Sequence, residues 1–258
     1  MKKIAIITGA SSGIGREFVK AISSHAEYDE LWAIARNKER LEELRSITSI
    51  PVKPISLDLS SEGFADSFKK LLEEEEITIK TLINCSGYGK FDSLENITLE
   101  DNLGMIDLNC RALVAITYLS IPYMSKGSEI IEIASVAAFQ PIPYINVYGA
   151  SKAFVLSFSR ALGSELKGKG IRVLAVCPFW TKTAFFDRAV NKDKNAVVKK
   201  YAAMYEPDYI VKYALKSLKK KNKDFCIPGF IAKMQVFLVK LLPHKLIMSI
   251  WQSQQKLK

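Results

Sequence analysis

Tyr148 and Lys152 are the pair whose residue types and spacing best suit chemistry. They lie four positions apart, so on a helix they share one face and the ammonium can approach the phenol. A nearby cation stabilises the phenolate and lowers the tyrosine pKa from about 10 toward neutrality, as a general acid and base requires. Ser135, just past a predicted strand, can hydrogen-bond the substrate oxygen that would receive the Tyr148 proton. Tyrosine and lysine at this spacing are also common surface neighbours, so the pair alone is a weak signal.

Other residue types exclude several classes of chemistry. His25 and His244 are the only histidines, which leaves a Ser-His-Asp triad poorly supported, and no P-loop pattern occurs. The four cysteines are far apart, without a Cys-x-x-Cys pair, and each has an apolar residue within two positions: Cys85, Cys110, Cys177 and Cys226. This pattern indicates reduced core thiols in a cytoplasmic protein, and no metal site is expected.

A glycine-rich segment, residues 8–15 (TGASSGIG), joins the first predicted strand to the first predicted helix. Glycines allow a tight turn and a close approach of the backbone to phosphates, and a helix N-terminus attracts an anion. A turn without a ligand can have the same composition. The position between a strand and a helix favours a site for a dinucleotide pyrophosphate.

Arg36 follows the second predicted strand, at the position where an NAD site carries an acid for the adenosine ribose. A guanidinium there suits the 2′-phosphate of NADP(H), whereas a carboxylate would repel it. The alternative is that Arg36 merely begins a solvated helix with the charged residues 38–40. We expect NADP(H) to be preferred over NAD(H).

An alternation of strands and helices has to position these residues. Apolar runs bounded by turn residues predict strands at 4–8, 31–35, 52–57, 80–84, 129–134, 172–177 and 224–227. Segments of helical period predict helices at 13–25, 38–47, 61–75, 99–125, 148–167 and 207–221. The alternation is typical of an α/β fold with one doubly wound sheet of about seven parallel strands and helices on both faces.

Taken in order, the motifs resemble those of the classical short-chain dehydrogenase/reductase (SDR) family over residues 4–183 and, less sharply, to 227. The resemblance implies a Rossmann-type domain with a catalytic tetrad of Tyr148, Lys152, Ser135 and Asn109. By its type alone, Asn109 would also suit the capping or kinking of a long helix. Together with Arg36, the family's cofactor positions are Gly9, Ser11, Ser12, Gly13, Ile14, Gly15, Asp58, Leu59, Asn84, Gly87, Tyr148, Lys152, Pro178, Thr181 and Thr183.

Two places depart from the family's pattern. Cys85 and Ser86 replace the middle residues of Asn-Asn-Ala-Gly, and both are small enough for the backbone to pass beside the ribose. Phe179 replaces the glycine of Pro-Gly-x-x-x-Thr, where an aromatic ring is large enough to narrow the space near the nicotinamide or the substrate.

The resemblance implies hydride transfer between NADP(H) and a carbonyl carbon, while Tyr148 gives its proton to the oxygen and Ser135 holds that oxygen. Lys152 would lower the Tyr148 pKa and hydrogen-bond the nicotinamide ribose, and Asn109 would hold a water linking the lysine to solvent. The expected activity is an oxidoreductase acting on a ketone or secondary alcohol. The rival is a catalytically idle NADP(H)-binding sensor or membrane-associated scaffold, although a protein without turnover has no need of all four residues.

The long connection at residues 179–206 is predicted to form a lid on the domain of residues 1–228. Its large side chains can build an apolar wall over the nicotinamide: Trp180, Phe185, Phe186, Tyr201, Met204 and Tyr205. This predicts a hydrophobic substrate of the steroid, bile-acid, ketoacyl or xenobiotic carbonyl class. Simple core or dimer contacts are the equally weighted alternative.

Residues 229–258 are predicted to be a basic amphipathic C-terminal extension. All of the net charge of +10 lies between Lys212 and Lys258, where eleven lysines accompany one acid, Asp224. The apolar run is interrupted by Lys233 and Lys240, so it is too short and too charged for a transmembrane helix.

Three interpretations of this extension are open. It closes the substrate site or joins the subunits of a homo-oligomer, a dimer or tetramer as the family resemblance implies. It lies on an anionic membrane surface, with Trp251 and the lysines at the headgroups. Its lysines attract an anionic substrate or only solubilise the surface. Without a recognised reader motif, nucleic acid is not an expected partner, and the expected location is the cytoplasm, with peripheral contact to the inner face of a membrane under the second interpretation.

Overall fold

Seven parallel strands form one sheet in the order β3-β2-β1-β4-β5-β6-β7 in a computed structural model that describes residues 1–190, 196–220 and 222–257. The strands are β1 Lys2–Thr8, β2 Glu30–Ala35, β3 Val52–Ser56, β4 Ile77–Asn84, β5 Glu129–Ile133, β6 Arg172–Val176 and β7 Phe225–Cys226. Chain order reverses between β1 and β4, and doubly wound sheets bind ligands outside the carboxyl ends of the strands at such a point. The predicted fold class is confirmed.

Ten α-helices surround the sheet in the described part of the chain. They are α1 Gly13–Ala21, α2 Lys38–Glu42, α3 Phe64–Glu73, α4 Leu99–Ile106, α5 Leu113–Ser120, α6 Asn146–Leu166, α7 Phe185–Ala189, α8 Pro207–Leu218, α9 Phe230–Leu241 and α10 His244–Gln255. The predicted lid 179–206 contains the short α7, and its residues 191–195 lie outside the described residues. The predicted extension 229–258 forms α9 and α10; residue 258, and residue 221 of the predicted helix 207–221, also lie outside that part.

Alternation along β1 shows how both faces of the sheet are covered. Ile4 and Ile6 pack on one face, and Ala5 and Ile7 pack on the other. The first face is covered by α3, α5 and α6 and the second by α1 and α8, through buried side chains that include Phe68, Ile116 and Leu162 on one side and Phe18, Val19 and Ile210 on the other. A strand buried on both faces has to be apolar throughout, which is why the predicted strands lack a polar alternation.

The predicted helix 99–125 is interrupted by a π-helical segment, Asp107–Ala112, between α4 and α5. Such segments add a residue to the helical turn and are frequent at functional sites, and this one contains Asn109. By length and hydropathy the whole stretch Leu99–Tyr123 could cross a bilayer. Its residues Ile116, Thr117 and Ser120 are buried inside the fold, however, as expected of a core helix.

Glu132 of β5 is a fully buried carboxylic acid in this core. Its Oε1 accepts hydrogen bonds from Asn84 Nδ2 at 3.1 Å and Thr117 Oγ1 at 2.9 Å, while its Oε2 is buried without a partner. Burial raises the pKa of Glu132 from 4.5 to about 8, although those two hydrogen bonds and the Lys152 charge offset part of the rise. Glu132 is therefore largely protonated in the folded protein at neutral pH.

Stability should accordingly fall as the pH rises from about 5 to 8, because the folded state binds the Glu132 proton more tightly than the unfolded chain does. The glutamine side chain of Glu132→Gln is uncharged across this pH range, so the fall in stability should be absent from the variant. We expect the free energy of unfolding of the wild type to drop by about 1 kcal/mol or more relative to the variant across that range, measured by urea unfolding. Glu73→Gln, an exposed control, should show the same dependence of the free energy of unfolding on pH as the wild type. The same dependence in Glu132→Gln would contradict the prediction.

Candidate active site

A cavity of about 790 Å³ lies over the carboxyl ends of β1, β2, β4 and β5. It starts beside Arg36 and Asp58, follows the turn at residues 9–15, passes Ser135 and Tyr148, and ends against α9 and α10. Its volume is in the range of sites for cofactor-sized molecules. The carboxyl ends of several strands thus contribute to one continuous site.

The β1–α1 turn is built so that the backbone itself can approach a ligand. Gly9 and Gly13 have φ of +66° and +53°, and a Cβ on Gly9 would lie 2.9 Å from the Cys85 carbonyl. A Cβ on Gly15 would collide with the Gly9 carbonyl oxygen. The Ser12 side chain makes no capping hydrogen bond, which leaves the first-turn N–H groups of α1 for an anion. The predicted residues Ser11, Ser12 and Ile14 line the cavity with the three glycines, so this turn suits a pyrophosphate.

Asp58 lies near Arg36 and Arg188 at the end of the proposed dinucleotide site where the adenosine would bind. Asp58 Oδ1 accepts from the Ser60 N–H at 2.9 Å and from Ser60 Oγ at 2.6 Å. Burial tends to raise the Asp58 pKa, but the Ser60 hydrogen bonds and the charges of Arg36 and Arg188 outweigh it and hold the pKa below its ordinary value. Leu59 lies beside it in the cavity wall, and Arg36 faces the same space with Arg40. The predicted Arg36, Asp58 and Leu59 are therefore brought together.

Three of the four predicted catalytic residues meet at the middle of the cavity. Ser135 and Tyr148 line it, and the Ser135 hydroxyl lies near enough to the Tyr148 phenol to lower its pKa. The Lys152 Nζ lies 5.8 Å from the centroid of the Tyr148 ring and donates to the Ile133 carbonyl oxygen at 2.7 Å. The hydroxyls of Ser135 and Tyr148 and the ammonium of Lys152 thus face one shared space.

The expectation that Lys152 lowers the Tyr148 pKa is not met in this structure. Burial raises the pKa of Tyr148 to about 12, and the nearby Ser135 hydroxyl offsets only part of that rise. Burial also lowers the pKa of Lys152 to about 8, so part of its charge is lost just above neutral pH. The ammonium bonds the Ile133 carbonyl rather than the phenol, which explains why desolvation dominates the Tyr148 pKa. Tyr148 therefore holds its proton at neutral pH.

Asn109 and Asn84 lie behind the cavity wall rather than in it. Asn109 Oδ1 accepts from the Tyr88 N–H at 3.0 Å, and its Nδ2 donates to the Tyr88 carbonyl at 2.9 Å and to Ser151 Oγ at 3.0 Å. Asn84 Nδ2 donates to Thr117 and Glu132 in the core. A Cβ on Gly87 would lie 2.8 Å from Asn109 Oδ1, so the close packing of this wall requires glycine there. In this structure Asn109 fixes the backbone at Tyr88, whereas Asn84 bonds two side chains of the core.

The third wall comes from the chain that follows β6. Pro178, Thr181 and Thr183 all line the cavity, as predicted, and a Cβ on Gly13 would lie 3.2 Å from Thr183 Cγ2. Thr183 thus stands opposite the glycine-rich turn. Phe179 also lines the cavity, and its ring packs with Val136 and with α9.

The lid aromatics form an apolar wall over Tyr148, as one of the two interpretations proposed. Phe185 lies 5.5 Å from the Tyr148 ring, between ring centroids, and Trp180 and Phe186 line the cavity beside it. Tyr201 packs behind Trp180 at 5.0 Å. Two of the predicted residues contribute nothing to this wall: Met204 is exposed, and Tyr205 stacks on Tyr209 of α8.

The extension also closes the cavity. Gln235 and Val239 of α9 and Ile247 of α10 line it, and Trp251 stacks on Trp180 at 6.5 Å. The Trp251 Nε1 donates to the Pro143 carbonyl at 3.0 Å. The expectation that Trp251 lies at lipid headgroups is therefore wrong, because its ring is committed to the interior wall.

Sequence reasoning missed two residues at the site. Arg188 of α7 places its guanidinium carbon 3.4 Å from the centroid of the Tyr88 ring and lines the cavity. Glu132 lies one residue before the carbonyl that binds Lys152. A glutamate within the apolar run of β5 was a visible signal, whereas nothing local distinguished Arg188 from other surface arginines. Across the described residues, no group of three or more His, Cys, Asp or Glu side chains is arranged to hold a metal ion.

Comparisons with known proteins agree with this geometry. The family described as short chain dehydrogenase matches residues 3–194. Sulfoacetaldehyde reductase 2 from Chromohalobacter salexigens is 35% identical over 194 residues, which cover 72% of this chain and 75% of that protein. The human very-long-chain 3-oxoacyl-CoA reductase is 27% identical over 263 residues, covering 96% of this chain and 80% of that protein.

A solved structure extends the likeness over almost the whole chain. The short-chain dehydrogenase from Sphingobium yanoikuyae in complex with NADPH has a TM-score of 0.77 at 28% identity, covering 96% of this chain and 95% of that one. The chain therefore belongs to the short-chain dehydrogenase/reductase family, as an oxidoreductase of alcohol and carbonyl groups with a site for a nicotinamide cofactor.

Proposed function

We propose that this protein reduces hydrophobic ketones, or oxidises the corresponding secondary alcohols, with NADP(H) as the preferred cofactor. The observation that carries the proposal is that Ser135 and Tyr148 line one aromatic cavity, which is continuous with the glycine-rich turn. A carbonyl oxygen can reach both hydroxyls from this cavity, and the cavity's other end offers arginines to a phosphate.

The residues divide the work of carbonyl reduction as follows. Bound NADPH supplies the hydride. Tyr148 is protonated at neutral pH because of its raised pKa, so it holds the proton that the carbonyl oxygen needs. Ser135 donates to the same oxygen as negative charge develops. Lys152 orients the β5 end through the Ile133 carbonyl, and its ammonium lies 5.8 Å from the centroid of the Tyr148 ring.

Asn109 supports this arrangement from behind the wall. Its two hydrogen bonds to the Tyr88 backbone and one to Ser151 fix the loop after β4 against α6, which carries Tyr148 and Lys152. We propose that the four residues act as the catalytic tetrad. Asn109 contributes by position, because its polar atoms are already engaged with protein groups.

The preference for NADP(H) rests on the charge at the end of β2. Arg36 and Arg40 line the cavity, and Asp58, which also lines it, is hydrogen-bonded by Ser60 and follows β3 rather than β2. A 2′-phosphate would meet guanidinium groups here.

The substrate class follows from the walls on the other side of Tyr148. Phe91, Trp180, Phe185 and Phe186 form an aromatic surface there, continued by the apolar residues of α9 and α10. Of the two relatives, one is named for a small sulfonated aldehyde and the other for a very long acyl chain. The apolar walls favour a substrate of the second kind, such as a ketoacyl thioester, steroid, bile acid or aromatic ketone.

Tyr148→Phe should lower kcat for ketone reduction by about 10²–10⁴-fold while leaving NADPH binding nearly unchanged, because the ring remains and only the proton donor is lost. The measurement is NADPH oxidation with a panel of steroid, bile-acid, ketoacyl-thioester and aromatic ketones, with sulfoacetaldehyde as the polar comparison. NADPH affinity is followed by fluorescence titration. Tyr118→Phe, an exposed control, should behave as wild type.

Retained turnover in Tyr148→Phe would contradict the catalytic assignment. If the wild type binds NADPH but oxidises it with no member of the panel, the idle sensor becomes the better description. Faster turnover of sulfoacetaldehyde than of every apolar ketone would contradict the substrate class.

Arg36→Asp should raise the KM for NADPH at least about tenfold, because a charge-assisted hydrogen bond to the 2′-phosphate is replaced by repulsion. The KM for NADH should stay constant or fall, since a carboxylate suits the ribose hydroxyls. Arg45→Asp makes the same change at an exposed arginine outside the cavity and should alter neither value. An equal effect on both cofactors would show that Arg36 does not discriminate between them.

We also propose that the protein forms a homo-oligomer through α4. Leu99, Leu103 and Ile106 are exposed at helical spacing on one face of α4, and the exposed Phe154 lies on the adjacent α6. A two-fold axis can pair such a face with itself, and each copy then covers the apolar surface of the other.

Leu103→Glu should dissociate this oligomer, because a charge would be buried at the contact between copies. Light scattering of the wild type should give at least twice the mass of one chain, and the variant should give the mass of one. Leu94→Glu, the same change at another exposed leucine, should leave the wild-type mass. A monomeric wild type would overturn the assignment.

A further inference from the structure

The C-terminal apolar face is the largest group of exposed apolar side chains on adjacent elements in the described part of the chain. It consists of exposed residues on α9 and α10: Phe230, Ile231, Met234, Phe237, Leu238, Leu241, Leu246 and Ile250. On α9 the spacing of residues 230, 234, 237 and 241 follows the helical period, so they form one stripe. Phe230 is 75% exposed and Leu241 is 65% exposed, which is unusual for such side chains on a folded domain.

This face is not the one that holds α9 to the domain. Ala232, Val236 and Val239 are the buried residues of α9, and the first two pack with Val136 and Phe179. The helix is thus apolar on its inner side for folding and apolar again on its outer side. The outer side requires an occupant other than the described residues of this chain.

The outer face is continuous with the substrate cavity. Four of its residues are at once exposed and part of the cavity wall: Ile231, Met234, Leu238 and Ile250. These side chains therefore frame a mouth between α9 and α10 that connects the cavity to the exposed apolar surface. A polar solute has no favourable contact along such a route, whereas an apolar molecule leaving a lipid phase does.

The charge around this face selects the kind of surface it can meet. Residues 225–258 contain five lysines and no aspartate or glutamate. Lys233 and Lys240 are exposed on α9, and each places its ammonium over an aromatic ring, with Nζ 5.0 Å from the Tyr213 centroid and 5.5 Å from the Phe139 centroid. Apolar side chains flanked by lysines in this way are typical of helices at an anionic membrane interface. A second copy of the same face would bring like charges together.

We propose that the C-terminal apolar face docks on an anionic lipid bilayer and that the apolar substrate enters the cavity from that bilayer between α9 and α10. The docking stands on the face and its charge alone. The entry route rests on the proposed ketone reductase function.

Vesicle flotation of the full chain with NADPH tests the docking. Wild type should float with vesicles of phosphatidylcholine and phosphatidylglycerol at low salt, and several-fold less with phosphatidylcholine alone or at high salt. Leu241→Asp should weaken binding at least tenfold, because it places a carboxylate in the lipid contact. Leu94→Asp is the matched control, with the same change at a side chain 55% exposed outside the cavity, and should float like wild type.

Phe237→Ser provides a second variant, since it removes apolar surface without adding charge, and it should also weaken flotation. Neither Phe237 nor Leu241 lines the cavity, so reduction of a small water-soluble ketone should be unchanged in both variants and shows that they are folded. Wild type that stays with the unbound fraction at low salt, or variants that float as well as wild type, would overturn the docking.

The entry route has its own readout. For a long-chain ketone supplied in anionic vesicles, Leu241→Asp should lose most of its rate, while with the water-soluble ketone it should match wild type. Equal rates on the vesicle-borne ketone would overturn the route even if flotation succeeds. If no ketone is reduced by wild type, the proposed function fails, and flotation still decides the docking by itself.

Discussion

The close approach of β1 and β4 at their carboxyl ends is the constraint on which the site depends. Thr8 Oγ1 accepts hydrogen bonds from the N–H groups of both Cys85 and Ser86 at 3.1 Å, so the ends of the two strands are tied together at the point where chain order reverses. Gly9 follows at once and has no room for a Cβ. The glycine-rich turn, the loop after β4 and the α1 N-terminus take their positions from this junction, which is what makes one cavity out of several strand ends.

A second constraint is the cost of polar groups beneath that cavity. Glu132, with Asn84 and Thr117 as partners, occupies the core directly behind the strand end that binds Lys152. Burial raises the pKa of Glu132 and lowers that of Lys152, both to about 8. At neutral pH a smaller fraction of each side chain is therefore charged than in water. Burial thus reduces the charge that the core must hold, and it leaves the Tyr148 proton in place for delivery to a carbonyl oxygen.

The sequence predicted those parts of the site that depend on interactions between residues close together in the chain. The strand–turn–helix at residues 8–15 and the Tyr148–Lys152 spacing are set by neighbours along the chain, and most residues of the turn line the cavity together with Tyr148 and Lys152. The direction of the Lys152 ammonium, the orientation of Asn109 away from the cavity and the arrival of Arg188 over Tyr88 are decided by elements far apart in sequence. No periodicity or spacing carries that information, so these features emerged only from the three-dimensional arrangement.

For the C-terminal helices as well, the sequence alone could not decide which interactions they make. Composition revealed that residues 229–258 are apolar and basic, but three interpretations remained open. The fold shows that the first two are compatible: α9 uses one side to close the cavity and leaves another apolar side exposed. On the entry route that we propose, a helix that is apolar on both sides serves two purposes, because the wall of the cavity is also a surface on which an apolar molecule can travel. A polar outer side would have closed the cavity equally well, so the exposed stripe supports that route.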